Sequence, residues 1–179
     1  MCDACSVAVT IRELEAGEWS LFRDVRIRAV TESPDAFRPT LDELEVMADE
    51  EWMDLVRSTV EHPRGLLVIA ESDGVPVGGV FGRITEDGAT TVIGAMWVDP
   101  TVRKQGVGSS LLDKTLAWGR SSGAHLAELW VVADNGPAFR LYRAAGFEPT
   151  GATGTLREDS DIPIVQLSLR PTTGLDSPE

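Results

Sequence analysis

Seven consecutive residues, Arg103-Lys104-Gln105-Gly106-Val107-Gly108-Ser109, combine what an anion site needs. Two glycines one residue apart clear side chains from a backbone that is turning into a helix. The free N–H groups of that first turn, at the positive end of the helix dipole, then face an anion. Arg103 and Lys104 add positive charge just ahead of it, in a chain whose 16 basic and 29 acidic residues give a net charge of −13. The simplest ligand is a phosphate or pyrophosphate. No GxxxxGK[ST] run exists for a P-loop, and the third glycine of a GxGxxG dinucleotide fingerprint is missing, with Leu111 in its place. An Arg-x-x-Gly-x-Gly loop following Val98-Asp-Pro fits every position.

The elements that must position this loop are legible from periodicity. Alternation predicts a strand over Val7–Glu13, and helical spacing of Trp19, Phe22, Val25 and Ala29 predicts a helix over Glu18–Thr31, broken at Ser33-Pro34-Asp35. Leu41–Val60 reads as one helix or two short ones. Leu66–Glu71, Val75–Ile84 and Ala89–Val98 read as three strands joined by turns at Asp73-Gly74 and Glu86-Asp87-Gly88, an antiparallel meander. A helix over Val107–Ser121, a strand over Leu126–Val132, a helix over Pro137–Ala145 and strands over Phe147–Thr153 and Ile162–Leu169 complete the chain. The order β-α-α-β-β-β-α-β-α-β-β predicts an α+β domain on a mixed sheet.

The 179 residues suit one domain, over 7–169, between flexible tails at 1–6 and 170–179. No apolar run approaches the ~18 residues of a membrane span, and the first residues lack the pattern of a secretory signal. The charge disfavours a nucleic-acid partner. Cys2 and Cys5 form one CxxC without a second ligand pair, and His62 and His125 stand alone, so no metal site is expected. The chain is read as cytoplasmic, free of disulfides and not membrane-bound.

A second block lies downstream: Asn135-Gly-Pro-Ala138, then Tyr142, then Gly146-Phe147. Together the two blocks resemble the GNAT superfamily of acyl-CoA-dependent N-acetyltransferases, in its pyrophosphate loop and its N-x-x-A-x-x-x-Y-x-x-x-G-F segment. The resemblance is strong over Ala89–Thr150 and extends, by element order, to Val7–Leu169. It implies a three-layer α/β/α fold whose mixed, mostly antiparallel sheet splays between the fourth and fifth strands, with acetyl-CoA in the V. It implies backbone contacts from Met96, Trp97 and Val98 to the pantetheine arm. Lys104, Gln105, Gly106, Val107, Gly108 and Ser109, with Arg103 before them, would hold the pyrophosphate, and Asn135, Ala138 and Tyr142 would line the other side.

The implied reaction is direct attack of a primary amine on the thioester in a ternary complex. The resemblance places Tyr142, the one tyrosine of the chain, as the acid for the departing thiolate; a phenol with a pKa of about 10 is protonated at neutral pH. The base departs from the family pattern. Trp130 stands where relatives carry a glutamate, and Glu128, two residues earlier on the same strand face, is the candidate, acting through water; His125 is weaker. The expected acceptor is a small-molecule amine. The alternatives are a protein N-terminus or lysine, or a non-catalytic acyl-CoA sensor. Seven acids and no basic residue between Leu41 and Val56 read either as a solvated helix face or as a rim attracting a cationic amine. A homodimer through the strands after Phe147 is the expected assembly.

Overall fold

A computed structural model describes residues 8–170. Cys2, Cys5, Val7 and the segment 171–179 lie outside the described residues. Seven strands form one sheet: β1 (Val9–Glu13), β2 (Gly65–Ser72), β3 (Val75–Ile84), β4 (Thr90–Val98), β5 (Leu126–Val132), β6 (Glu148–Thr155) and β7 (Pro163–Leu169). Five helices flank it: α1 (Trp19–Glu32), α2 (Leu41–Glu45), α3 (Asp49–Val60), α4 (Val107–Ser121) and α5 (Gly136–Ala144). The sheet order is β1-β2-β3-β4-β5-β7-β6. Every neighbouring pair is antiparallel except β4 with β5.

The segment 41–60 is two helices because each carries its own start signal. Thr40 Oγ1 accepts from the Glu43 N–H (3.3 Å) while the Glu43 carboxylate accepts from the Thr40 N–H (2.7 Å), a reciprocal cap. At α3 the Glu51 carboxylate accepts from the Ala48 N–H at 2.8 Å. These contacts also decide the acidic stretch. Glu43 and Glu51 are spent on caps, and Asp49 and Asp54 pair with Arg23 and Arg57. The solvated-face reading holds for these four acids.

Strand alternation feeds two cores. Leu66, Val68 and Ala70 of β2 face α4, where Leu111, Leu112 and Leu116 meet them with Ile93, Leu129 and Phe147. Leu67 and Ile69 face the other way, toward Val25, Ala29 and Val30 of α1 and Trp52 and Val56 of α3. Each fully buried Val, Leu, Ile or Phe side chain among them contributes about 1.5–3 kcal/mol of hydrophobic stabilisation. Gly119 of α4 sits against Thr91 of β4 so closely that a Cβ there would fall 2.1 Å from Thr91 Oγ1, which sets the helix-to-sheet distance. Two buried polar atoms among the described residues lack a hydrogen-bond partner, Arg26 Nη1 and Trp52 Nε1. Arg26, 7% exposed, lays its guanidinium over the Phe37 ring at 4.9 Å, and its Nη1 has no partner among the described residues. Burial pushes its pKa down to about 10.

No helix among the described residues is long and apolar enough to cross a membrane.

Candidate active site

The two central strands pair only along part of their length. Thr90 to Ile93 run in register with Leu126 to Leu129, and the ladder stops there. Beyond it, Gly94–Val98 and Trp130–Val132 diverge, while β5 stays paired with β7 from Ala127↔Leu169 as far as Val132↔Ile164. A cleft of about 1020 Å³ opens between them.

A bulge sharpens the divergence. Phe81 faces Gly94 but Gly79 faces Trp97, so Val80 opposes two residues of β4. The extra residue is accommodated at Ala95, whose φ of +54° is left-handed. Such a bulge re-aims the strand's peptide groups and costs backbone strain that alanine tolerates poorly. Ala95 and Met96 both line the cleft. The spacing of residue types carried no signal for the bulge.

The loop between β4 and α4 closes one end. Asp99 accepts from the Thr101 N–H (2.9 Å) and pairs with Arg28, whose guanidinium also donates to the Pro76 carbonyl (2.6 Å) and lies over the Trp97 ring. The loop is thereby tied to α1 and β3. Lys104 (φ +63°) and Gly106 (φ +83°) both take left-handed backbone, a pattern that turns successive N–H groups inward as an anion nest. The N–H groups of Val107, Gly108 and Ser109 precede the first bond of the ladder, Ser110 N–H to Gly106 O at 3.0 Å, and belong to the helix's free first turn. A Cβ at Gly108 would lie 3.3 Å from Leu141 of α5, so glycine lets the start of α4 approach α5. The nest therefore fits a pyrophosphate.

Across the cleft, Asn135 caps α5, its Oδ1 accepting from the Ala138 N–H at 3.2 Å. Tyr142, one turn on, is buried edge-on against Phe147 and lines the cleft. Burial raises its pKa to about 12, so the phenol keeps its proton throughout the neutral range.

Met96, Trp97, Val98, Arg103, Lys104, Gly106, Val107, Gly108, Ser109, Asn135, Ala138 and Tyr142 all line this one cleft. Three sequence candidates do not: Gln105, Glu128 and the weaker base candidate His125. Gln105 turns its amide toward the Thr101 carbonyl, at 3.4 Å. Glu128 sits where β4 and β5 still pair, opposite Val92, and accepts from Gln166 at 3.2 Å. It lies short of the splay, because the strands separate only after Leu129, one residue further on. Arg103 is in the cleft, but its side chain is committed to the Val98 carbonyl (2.8 Å) and to Glu32 (2.8 Å).

Glu32 was missed. It ends α1, sixty-six residues before Val98, and nothing in its local pattern links it to the loop. Its Oε2 gathers Arg103, Trp97 Nε1 (3.2 Å) and Ser33 Oγ (2.6 Å). The Arg103 hydrogen bond, aided by Ser33 and Trp97, holds this carboxyl below its ordinary range.

The model of the Acetyltransferase (GNAT) family matches residues 27–147, more than half of the sequence. The chain belongs to the acetyltransferase (GNAT) family. Relatives include mycothiol acetyltransferases of Clavibacter sepedonicus, 32% identical over 74% of this chain and 40% of that one, and of Thermomonospora curvata, 33% identical over 78% and 44%. The chain thus spans less than half the length of these curated relatives. Among solved structures, yncA of Salmonella typhimurium, solved with its cofactor acetyl-CoA, superposes with a TM-score of 0.75 over 96% of this chain and 98% of that one at 17% identity. A GNAT-family acetyltransferase of Streptococcus pneumoniae gives 0.74 over 91% and 99% at 19% identity. The splayed α+β fold read from the sequence is the fold of this family.

Proposed function

We propose that the chain is an acetyl-CoA-dependent N-acetyltransferase whose acceptor is the primary amine of a small molecule. The observation that carries the reading is the splay of β4 from β5 directly beside the nest at the start of α4. Family membership supports acetyl-CoA as the donor. The relatives named mycothiol acetyltransferases support a small acceptor.

When bound, acetyl-CoA supplies a thioester carbonyl open to attack by an unprotonated amine. The backbone N–H groups between Lys104 and Ser109 hold the pyrophosphate. The bulged backbone around Ala95 and Met96 lies along the arm and offers donors to charge developing on the carbonyl oxygen. Asn135, held as a cap, and Ala138 form the opposite wall. The Tyr142 hydroxyl donates its proton to the departing sulfur. A base is also needed, since a lysine-like amine with a pKa of about 10.4 is neutral in only about one molecule in 10³ at pH 7. Glu128 does not line the cleft, so the acceptor's proton leaves to water there, and no carboxylate base is invoked.

Calorimetric titration with acetyl-CoA tests the donor site. The expected result is one site per chain, weakened at least tenfold by Gly108→Val with the melting temperature as control for folding. Absence of binding to the native chain would overturn the reading.

A further inference from the structure

The charge lining the cleft is divided between two walls, which meet at the Glu32–Arg103 ion pair. Arg103, Lys104 and Arg140 line it on the side of α4 and α5, where the donor's phosphates go, with Asp134 the one acid among them. The facing wall is the end of α1 with the segment that follows it. It contributes Glu32 and Asp35, and no basic side chain of it lines the cleft. Arg157, reaching from beyond β6, holds this segment through the Phe37 carbonyl (2.8 Å) and the Pro34 carbonyl (3.3 Å), and Arg26 supports the Phe37 ring from behind. Neither of these arginines lines the cleft.

Glu32 uses one oxygen only. Oε2 takes Arg103, Trp97 Nε1 and Ser33, while Oε1 has no protein partner among the described residues. Asp35 is exposed and makes no ion pair among them. The same region of the cleft carries Trp130, a large aromatic left 42% exposed, with its ring against Gly154 of β6. Two carboxylates beside an open indole face suit an ammonium on a flat or apolar body, and they repel a carboxylate next to that ammonium.

We infer that Glu32, at the end of α1, and Asp35, in the following segment that Arg157 clamps, select acceptors whose amine is a net cation without a neighbouring carboxylate, the body resting on Trp130. The inference rests on the acetyltransferase reading given above. Glu32 acts here by charge and orientation. Held ionised by Arg103, Ser33 and Trp97, it is an orienting group and a poor proton acceptor.

The test is a matched pair of probes, 2-phenylethylamine and L-phenylalanine, titrated by calorimetry into the full chain saturated with CoA. The amine is expected to bind at least tenfold more tightly than the amino acid, and in Glu32→Gln/Asp35→Asn the ratio is expected to approach one. Asp35→Asn alone, which leaves the Glu32–Arg103 pair in place, is expected to reduce the ratio without altering CoA binding. Equal affinities in the native protein, or a ratio unmoved by the substitutions, would overturn the inference. So would the absence of saturable binding of the amine to the CoA-loaded chain. Loss of CoA binding by the native chain would instead strike at the acetyltransferase reading itself.

Discussion

The chemistry assigned to Tyr142 makes sharp demands on a single hydroxyl. Tyr142→Phe keeps the ring against Phe147 and removes only the O–H. Turnover is expected to fall 10²- to 10⁴-fold while acetyl-CoA affinity stays within about threefold, read by steady-state kinetics and calorimetry. Since the phenol's pKa is raised to about 12 by burial, its protonated form persists above pH 10, where an ordinary tyrosine begins to ionise. With the acceptor's proton leaving to water and no carboxylate invoked as base, kcat/KM for an amine acceptor is expected to climb about tenfold per pH unit from 6 to 9. No downturn from Tyr142 is expected before about pH 11. A plateau beginning near pH 6 or 7 would reveal a base that this account omits. Arg26 gives a prediction of opposite sign. Its guanidinium is buried with Nη1 unsatisfied, and replacing such a charge with an apolar side chain of similar length often stabilises by about 1–4 kcal/mol. Arg26→Met is therefore expected to raise the melting temperature; a clear drop would show that the guanidinium has a partner in solution.

Elements explain why the loop and the Tyr142 helix were readable and the acceptor wall was not. The nest and α5 are contiguous stretches whose glycines, cap and tyrosine sit at fixed spacing, so local pattern suffices. Val75–Ile84, Val107–Ser121 and Leu126–Val132 are strand, helix and strand with the bounds their periodicity gives. Glu128 misled because alternation fixes a strand's face but not the point where two strands part. That point depends on β7 pairing with β5, a contact between residues far apart in sequence. The bulge at Ala95 and the approach of Glu32 to Arg103 depend likewise on register and on helix placement. One tight element contact is α4 on β4. Gly119→Ala would drive a Cβ to 2.1 Å from Thr91 Oγ1, and thermal or denaturant unfolding is expected to show a loss of about 1–3 kcal/mol.

Across the whole molecule, the cleft lies between two cores that meet at the sheet. α1, with the segment after it, belongs to one; α4, with Tyr142, belongs to the other. Glu32–Arg103 and Arg28–Asp99 join α1 to the loop before α4, and Arg157 joins the distal end of the sheet to the acceptor wall. Arg157→Ala should loosen that wall alone. The expected outcome is a several-fold rise in KM for the amine with KM for acetyl-CoA unchanged. The acidic helices α2 and α3 lie outside the cleft's lining, so the molecule's net charge of −13 is mostly a property of its solvated faces. The most direct measurement is turnover of acetyl-CoA against a broad panel of small amines, followed by mass spectrometry. The expected result is a mass gain of one acetyl group on a cationic amine, abolished or sharply reduced by Tyr142→Phe. Acetyl-CoA that binds but acetylates nothing in the panel, or a product formed equally fast without Tyr142, would contradict it.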